Sequence, residues 1–164
     1  MVTTITVVLS LLLVAASVLI HYECLRGTSE ISRRLAIPRR THILVVIAGV
    51  VIAHLVEATL YATAYYLCEH WGGLGHMDGL MEGGALDYFY FSITTFTTLG
   101  IGDVHPRGAL RLIAGVESLN GLVLIGWSAS FTYLSMEQLW SDTPHPTHNK
   151  HLPAGSTNSR RRRL

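Results

Sequence analysis

Three apolar stretches, residues 2–20, 43–67 and 110–134, approach or exceed the roughly 20 residues needed to cross about 30 Å of hydrocarbon. A chain built this way has few folding options. Lipid offers no hydrogen bonds, so a spanning backbone has to satisfy its own polar groups, and each stretch reads as a helix. The expected fold class is an all-α membrane protein with three transmembrane helices. Charged residues make up 14% of the chain, well below the approximately 25% of ordinary soluble domains.

The net charge of +1 says little, but its placement says more. Arg26, Arg33, Arg34, Arg39 and Arg40 lie between the first two stretches, and Lys150 and Arg160, Arg161, Arg162 and Arg163 follow the third. Between the second and third, histidines aside, Arg107 is the one basic residue. The excess of basic residues on cytoplasmic loops then puts the N-terminus and the 68–109 segment outside, and the C-terminus in the cytoplasm. The protein is expected in the cell membrane as a multi-pass chain. The first stretch lacks a basic leader and its apolar run is longer than that of a signal peptide. It is read as a retained span. Residues 23–42 are expected to form a separate basic connector, with Ile31, Leu35 and Ile37 in the headgroup region.

Between the second and third spans stands Thr95-Phe96-Thr97-Thr98-Leu99-Gly100-Ile101-Gly102-Asp103. Gly100 and Gly102 allow positive φ at alternate positions. Such a strand aims successive carbonyl oxygens the same way, and a ring of carbonyls from several chains replaces the water shell of a cation. The segment resembles the selectivity-filter signature of tetrameric potassium channels, T-x-T-T-V-G-Y-G-D. Residues 85–94, rich in Tyr and Phe, resemble that family's pore helix, and Gly121 and Gly126 resemble its inner-helix glycines. The resemblance covers residues 43–135.

The resemblance implies a two-helix pore domain carrying an extra N-terminal helix, with a re-entrant pore helix and a filter loop, assembled as a fourfold symmetric homotetramer. It implies passive, selective conduction of K⁺, the permeant ion. Thr98, Leu99, Gly100, Ile101 and Gly102 would line the ion path with backbone carbonyls, joined by the Thr98 hydroxyl, and Asp103 would stand at the outer mouth. Two departures matter. Ile101 occupies the place of the family's filter Tyr, and Tyr90 and Phe91 replace its Trp pair. The filter is therefore expected to be held by apolar packing of Leu99 and Ile101 on those rings. The loss of the filter Tyr keeps a weakly selective Na⁺/K⁺ channel open as an alternative.

Ionisable residues at membrane depth are costly and mark buried networks or functional sites. His54 and Glu57 are three apart on the second span, and Glu117 and Asn120 are three apart on the third, so each pair shares a helix face. The depths of Glu57 and Glu117 are similar, and the pairs are expected to meet behind the pore helix. Three readings follow: a structural hydrogen-bonded network, a pH-sensing gate, or a metal transporter or enzyme site using His54, Glu57 and Glu117. The chain carries no HExxH motif, no nucleophile-and-base pattern and no nucleic-acid signature. It is therefore read as a channel and not as an enzyme.

Residues 68–84 read as an irregular outer turret whose Glu69, Asp78 and Glu82 would make an acidic mouth. Asp87 suits the positive end of the pore-helix dipole. Gly121 is a candidate gating hinge or a close-packing position, and Gly126 a close-packing one. Residues 136–164 read as a basic cytoplasmic tail without periodicity. Its arginines would meet anionic lipid, and His145, His148 and His151 would bind a metal only loosely.

Overall fold

A computed structural model describes residues 1–141. The expectations for residues 142–164, including the arginine run and the tail histidines, lie outside the described residues. Four helices account for most of the described chain: α1 (Val2–Arg34), α2 (Arg39–Leu67), α3 (Ala85–Phe96) and α4 (Leu110–Ser141). Three of them, α1, α2 and α4, are long and apolar enough to cross a membrane. α1 packs on α2 and α4, and α3 is held between α2 and α4.

The helices are arranged as lipid demands. The side of α1 turned to its neighbours carries Thr6, Ser10, Leu13, Ser17, His21, Leu25, Thr28 and Ser32, all buried. The spacing of three or four is one face of a helix. Leu11, Leu12 and Leu19, each more than 60% exposed, point the other way. Hydroxyls close some of their own bonds along the helix: Thr6 Oγ1 donates to the Val2 carbonyl at 3.0 Å and Ser10 Oγ to the Thr6 carbonyl at 2.8 Å. Small side chains let the helices approach closely. A Cβ placed on Gly49 would lie 2.1 Å from Thr28 Oγ1.

Two boundaries differ from expectation. α1 does not end near residue 20; it runs unbroken to Arg34, so most of the expected connector is helix and the turn shrinks to residues 35–38. Within that extension Glu30 pairs with both Arg33 and Arg34, and such one-turn pairs favour continued helix. α4 likewise passes residue 135 and continues to Ser141.

The turret is more regular than its glycines imply. A π-helical turn, Cys68–Gly72, ends α2. Strand β1 (Met77–Gly79) then pairs antiparallel with β2 (Val104–Pro106), just beyond the Gly100–Gly102 segment, with Asp78 opposite His105. Gly79 is required there, because a Cβ would lie 2.0 Å from the Asp103 carbonyl oxygen. This ribbon is the one departure from an all-α chain among the described residues, and it closes the loop that carries residues 97–103.

Candidate functional site

The 12-residue helix α3 is built to stop short of a full span. Asp87 Oδ2 accepts the backbone N–H groups of Glu82, Gly83 and Gly84 at 2.8–3.1 Å, folding the turret onto the helix start. The expected charge–dipole match at this end is thus also a set of hydrogen bonds. At about 1.5 Å per residue the helix is approximately 18 Å long, a little over half the hydrocarbon thickness.

Residues 98–102 leave its C-terminal end in an unusual conformation. Thr98, Gly100 and Gly102 have φ of 58°, 54° and 87°, the left-handed region at every second residue. Thr98 is the one residue other than glycine with positive φ among the described residues, and such a conformation is costly unless the surroundings hold it. Here they do. Thr98 N–H donates to the Thr95 carbonyl at 2.9 Å, and the N–H groups of Leu99 and Gly100 both donate to the Thr94 carbonyl, at 2.8 and 3.1 Å. In a trans peptide the carbonyl points opposite to the N–H that shares its plane. The Thr98 and Leu99 carbonyls therefore point away from the helix end, outward from the body of the chain.

Leu99 and Ile101 are 66% and 56% exposed. The expected packing of these side chains on Tyr90 and Phe91 is not made within one chain: Phe91 is buried in the core, and Tyr90 turns elsewhere. Its hydroxyl donates to Asp103 Oδ2 at 2.9 Å. Asp103 also accepts Val104 N–H on Oδ1 at 3.0 Å and Leu80 N–H on its carbonyl at 3.0 Å. The far end of the segment is thus tied to both α3 and the turret through one acidic residue.

The acidic mouth is more occupied than its composition implies. Glu69 accepts Tyr88 O–H at 2.8 Å and Met77 N–H at 3.1 Å, pinning the turret to α3. Asp78 lies 3.2 Å from the Arg107 guanidinium across the ribbon. Arg107 first, and then the Gly79 N–H, hold its carboxyl below the usual range.

Behind α3 the buried polar residues form two clusters rather than one. Glu117, fully buried, accepts Tyr65 O–H on Oε2 at 2.5 Å and lies 2.6 Å from Ser92 Oγ through Oε1. Ser92 Oγ also donates to the Ala58 carbonyl at 2.8 Å. A hydroxyl has one proton, so the bond between Ser92 and Glu117 is complete when the carboxyl supplies it. This cluster fastens the middle of α3 to α2 and α4.

Glu57 belongs to the second cluster. Its Oε1 lies 2.7 Å from His21 Nδ1 and its Oε2 lies 3.0 Å from His54 Nδ1. Ser128 Oγ meets the other nitrogen of each ring, His21 Nε2 at 3.3 Å and His54 Nε2 at 3.1 Å. Trp127 and Phe96 flank the imidazoles, with ring centroids 5.2 Å from His21 and 5.6 Å from His54. Asn120 stands apart from both carboxylates, donating to Ser17 Oγ at 2.7 Å and Tyr61 O–H at 3.2 Å. Among the described residues no hydrogen bond joins Glu57 to Glu117, which corrects the expected meeting of the two pairs. His54 and Glu57 do stay together, but Glu117 is not grouped with them as a metal ligand.

Sequence reasoning missed His21 and Ser17, and with them the part α1 plays. The signal was present: Ser10, Ser17, His21 and Thr28 recur at helical spacing along the first span and its continuation. α1, expected to lie peripheral to the pore, supplies a partner to Glu57 and another to Asn120.

Gly121 sets how closely α4 meets α3. A Cβ on it would lie 2.1 Å from the Phe96 carbonyl oxygen, so α4 passes directly against the end of α3. Gly126 meets nothing within 4 Å, and its expected close packing is not made within the chain.

A short helix held between two helices able to span a bilayer thus leads into a strand whose first carbonyls turn outward. The sequence profile of a family described as ion channel matches residues 43–137, more than half of the chain. The chain belongs to the ion channel family. Channel membership and the three apolar helices make it a multi-pass membrane protein, and such a family is not a class of enzymes. The chain is also similar to the "Two pore potassium channel b" of Oryza sativa subsp. japonica, 34% identical over 76 residues, or 46% of this chain. Those residues span only 20% of that relative's length. No solved structure matches the chain at a comparable level.

Proposed function

We propose that the chain is one subunit of a homotetrameric, potassium-selective channel in the cell membrane. Its ion path is lined by the backbone carbonyls of Thr98, Leu99, Gly100, Ile101 and Gly102, with the Thr98 hydroxyl innermost and Asp103 at the outer mouth. The observation that carries this reading is the alternation of left-handed φ at Thr98, Gly100 and Gly102 in a segment hung from a short helix. One such strand offers oxygens on one side only, so a cation is surrounded when copies close around an axis. K⁺ then moves in single file between carbonyl rings, each ion displacing the next. The name of the rice relative points to the same ion. The N-terminus and turret face outward and the basic segments face the cytoplasm, against anionic lipid headgroups. Gly121 is a close-packing position first, and α4 bends there only if the end of α3 moves with it.

The test is the reversal potential of the reconstituted full-length protein in planar bilayers with K⁺ and Na⁺ opposed. A value near the K⁺ equilibrium potential supports the reading. Clear current that reverses near zero replaces it with the weakly selective Na⁺/K⁺ channel, which the exposed Ile101 side chain favours. A protein that carries no current but performs metal-dependent transport or catalysis lost on changing His54 would overturn both.

A further inference from the structure

We infer that His21, His54 and Glu57 form an intramembrane binding site for a first-row transition ion of the zinc type, linking α1 and α2 and backed by Ser128 of α4. The inference goes beyond the pore reading and does not rest on it.

The donor set comes first. Two imidazole nitrogens and a carboxylate oxygen lie within 4.8 Å of one another. Mixed imidazole and carboxylate donors suit zinc, iron, cobalt or nickel, where calcium and magnesium prefer oxygen alone. A tetrahedral ion with bonds of about 2.0–2.1 Å holds its donors roughly 3.3 Å apart. His21 Nδ1 stands 2.7 Å from Glu57 Oε1 and His54 Nδ1 stands 3.0 Å from Oε2, so one carboxylate already faces both rings. Three protein ligands leave a fourth position for water or an anion.

The wiring behind the donors is the second observation. Consider Glu57 ionised and both imidazoles neutral, each donating its Nδ1–H to the carboxylate. Both Nε2 atoms are then acceptors, and both face Ser128 Oγ, which has a single proton. The hydroxyl proton then serves one Nε2 at a time. With an ion on both Nδ1 atoms the ring protons move to Nε2. Both then donate to the two lone pairs of Ser128 Oγ, and no ring nitrogen lacks a partner. A ligating histidine whose second nitrogen is oriented by a fixed acceptor is the usual supporting arrangement of a metal site. His21 and Glu57 are fully buried, and the His54 side chain, 22% exposed, is the open side through which an ion enters.

The experiment uses the full-length protein in detergent without a histidine tag. His145→Gln, His148→Gln and His151→Gln are placed in the background so that the tail offers no imidazole. Co²⁺ is the probe, read by its visible absorption and by the shift in thermal midpoint. The expected result is an intense low-symmetry Co²⁺ spectrum that Zn²⁺ displaces, with a raised midpoint. Affinity should fall at least tenfold in His54→Ala and about 10–100-fold in Ser128→Ala, the range for loss of an orienting partner. Ser128→Ala removes one hydroxyl and guards against a His54 variant that does not fold. No Co²⁺ band at millimolar metal, or a band unchanged in both variants, would overturn the site. Neither readout involves ion flux, so failure here leaves the pore reading standing, and failure of the pore reading leaves the site.

Discussion

Tyr90 donates its hydroxyl proton to Asp103 Oδ2 at 2.9 Å, joining the outer end of the carbonyl strand to the helix from which its inner end grows. In this chain, where Ile101 offers no hydroxyl, that bond and the turret contacts of Asp103 hold the strand's outer end. Tyr90→Phe removes the hydroxyl and leaves the ring. A hydrogen bond to a charged acceptor contributes about 1.5–3 kcal/mol. The K⁺ over Na⁺ permeability ratio should fall severalfold in the variant, read from the shift in reversal potential. A ratio equal to that of the unchanged protein would show that Asp103 is held well enough by Val104 and Leu80.

Gly100→Ala adds a methyl group that meets no neighbour within the chain. The harm comes from the backbone, because φ is 54° there and a Cβ disfavours that region by roughly 1 kcal/mol or more. In the proposed tetramer the penalty is repeated in each copy around the axis. Selective K⁺ current should disappear while the protein still inserts and assembles, as seen by native gel beside flux. Normal K⁺ currents in Gly100→Ala would remove residues 98–102 from the ion path.

Glu117 distinguishes two kinds of substitution. Gln keeps the shape and can donate to Ser92 Oγ while its carbonyl accepts Tyr65 O–H, so Glu117→Gln should fold and conduct close to normally. Glu117→Ala leaves both hydroxyls without that partner in a buried place. Ser92 keeps its bond to the Ala58 carbonyl, so the orphan is the Tyr65 O–H, at roughly 1–3 kcal/mol, and the cavity adds to it. Thermal midpoints of the two variants in detergent decide the matter. A Gln variant as weak as the Ala variant would mean that the carboxyl works as an anion.

Gly121→Ala and Gly126→Ala form a matched pair on one helix. The first drives a Cβ to 2.1 Å from the Phe96 carbonyl oxygen, while the second enters open space. The end of α3 has to move to admit the methyl group that Gly121→Ala adds, and residues 97–99 hang from that end. Conduction should be lost or strongly reduced in Gly121→Ala and largely kept in Gly126→Ala. Flux from reconstituted vesicles at equal protein content is the check, and equal flux from both would contradict the close approach.

Much of this arrangement was legible in the residues. Apolar length gave the three spans, and the glycine pair with its hydroxyl-rich approach gave the strand that follows α3. The rest was hidden for physical reasons. The ribbon between Met77–Gly79 and Val104–Pro106 pairs short strands across a long sequence gap, where alternation has no room to register. The split between the clusters of Glu57 and Glu117 depends on which neighbour each helix face meets, and one-turn spacing reports the face but not the neighbour. His21 escaped notice because it lies at the edge of its apolar run, where a polar residue reads as the end of a span. The continuation of α1 to Arg34 made that edge an interior position.

The family match begins at residue 43, yet the fully buried carboxylate of Glu57 has one of its partners on α1, outside that match. A segment cut free at the family boundary would leave Glu57 with His54 as its remaining hydrogen-bond partner. The order of synthesis suits this dependence. α1 precedes α2 in the chain, so the imidazole is made before the acid that it meets.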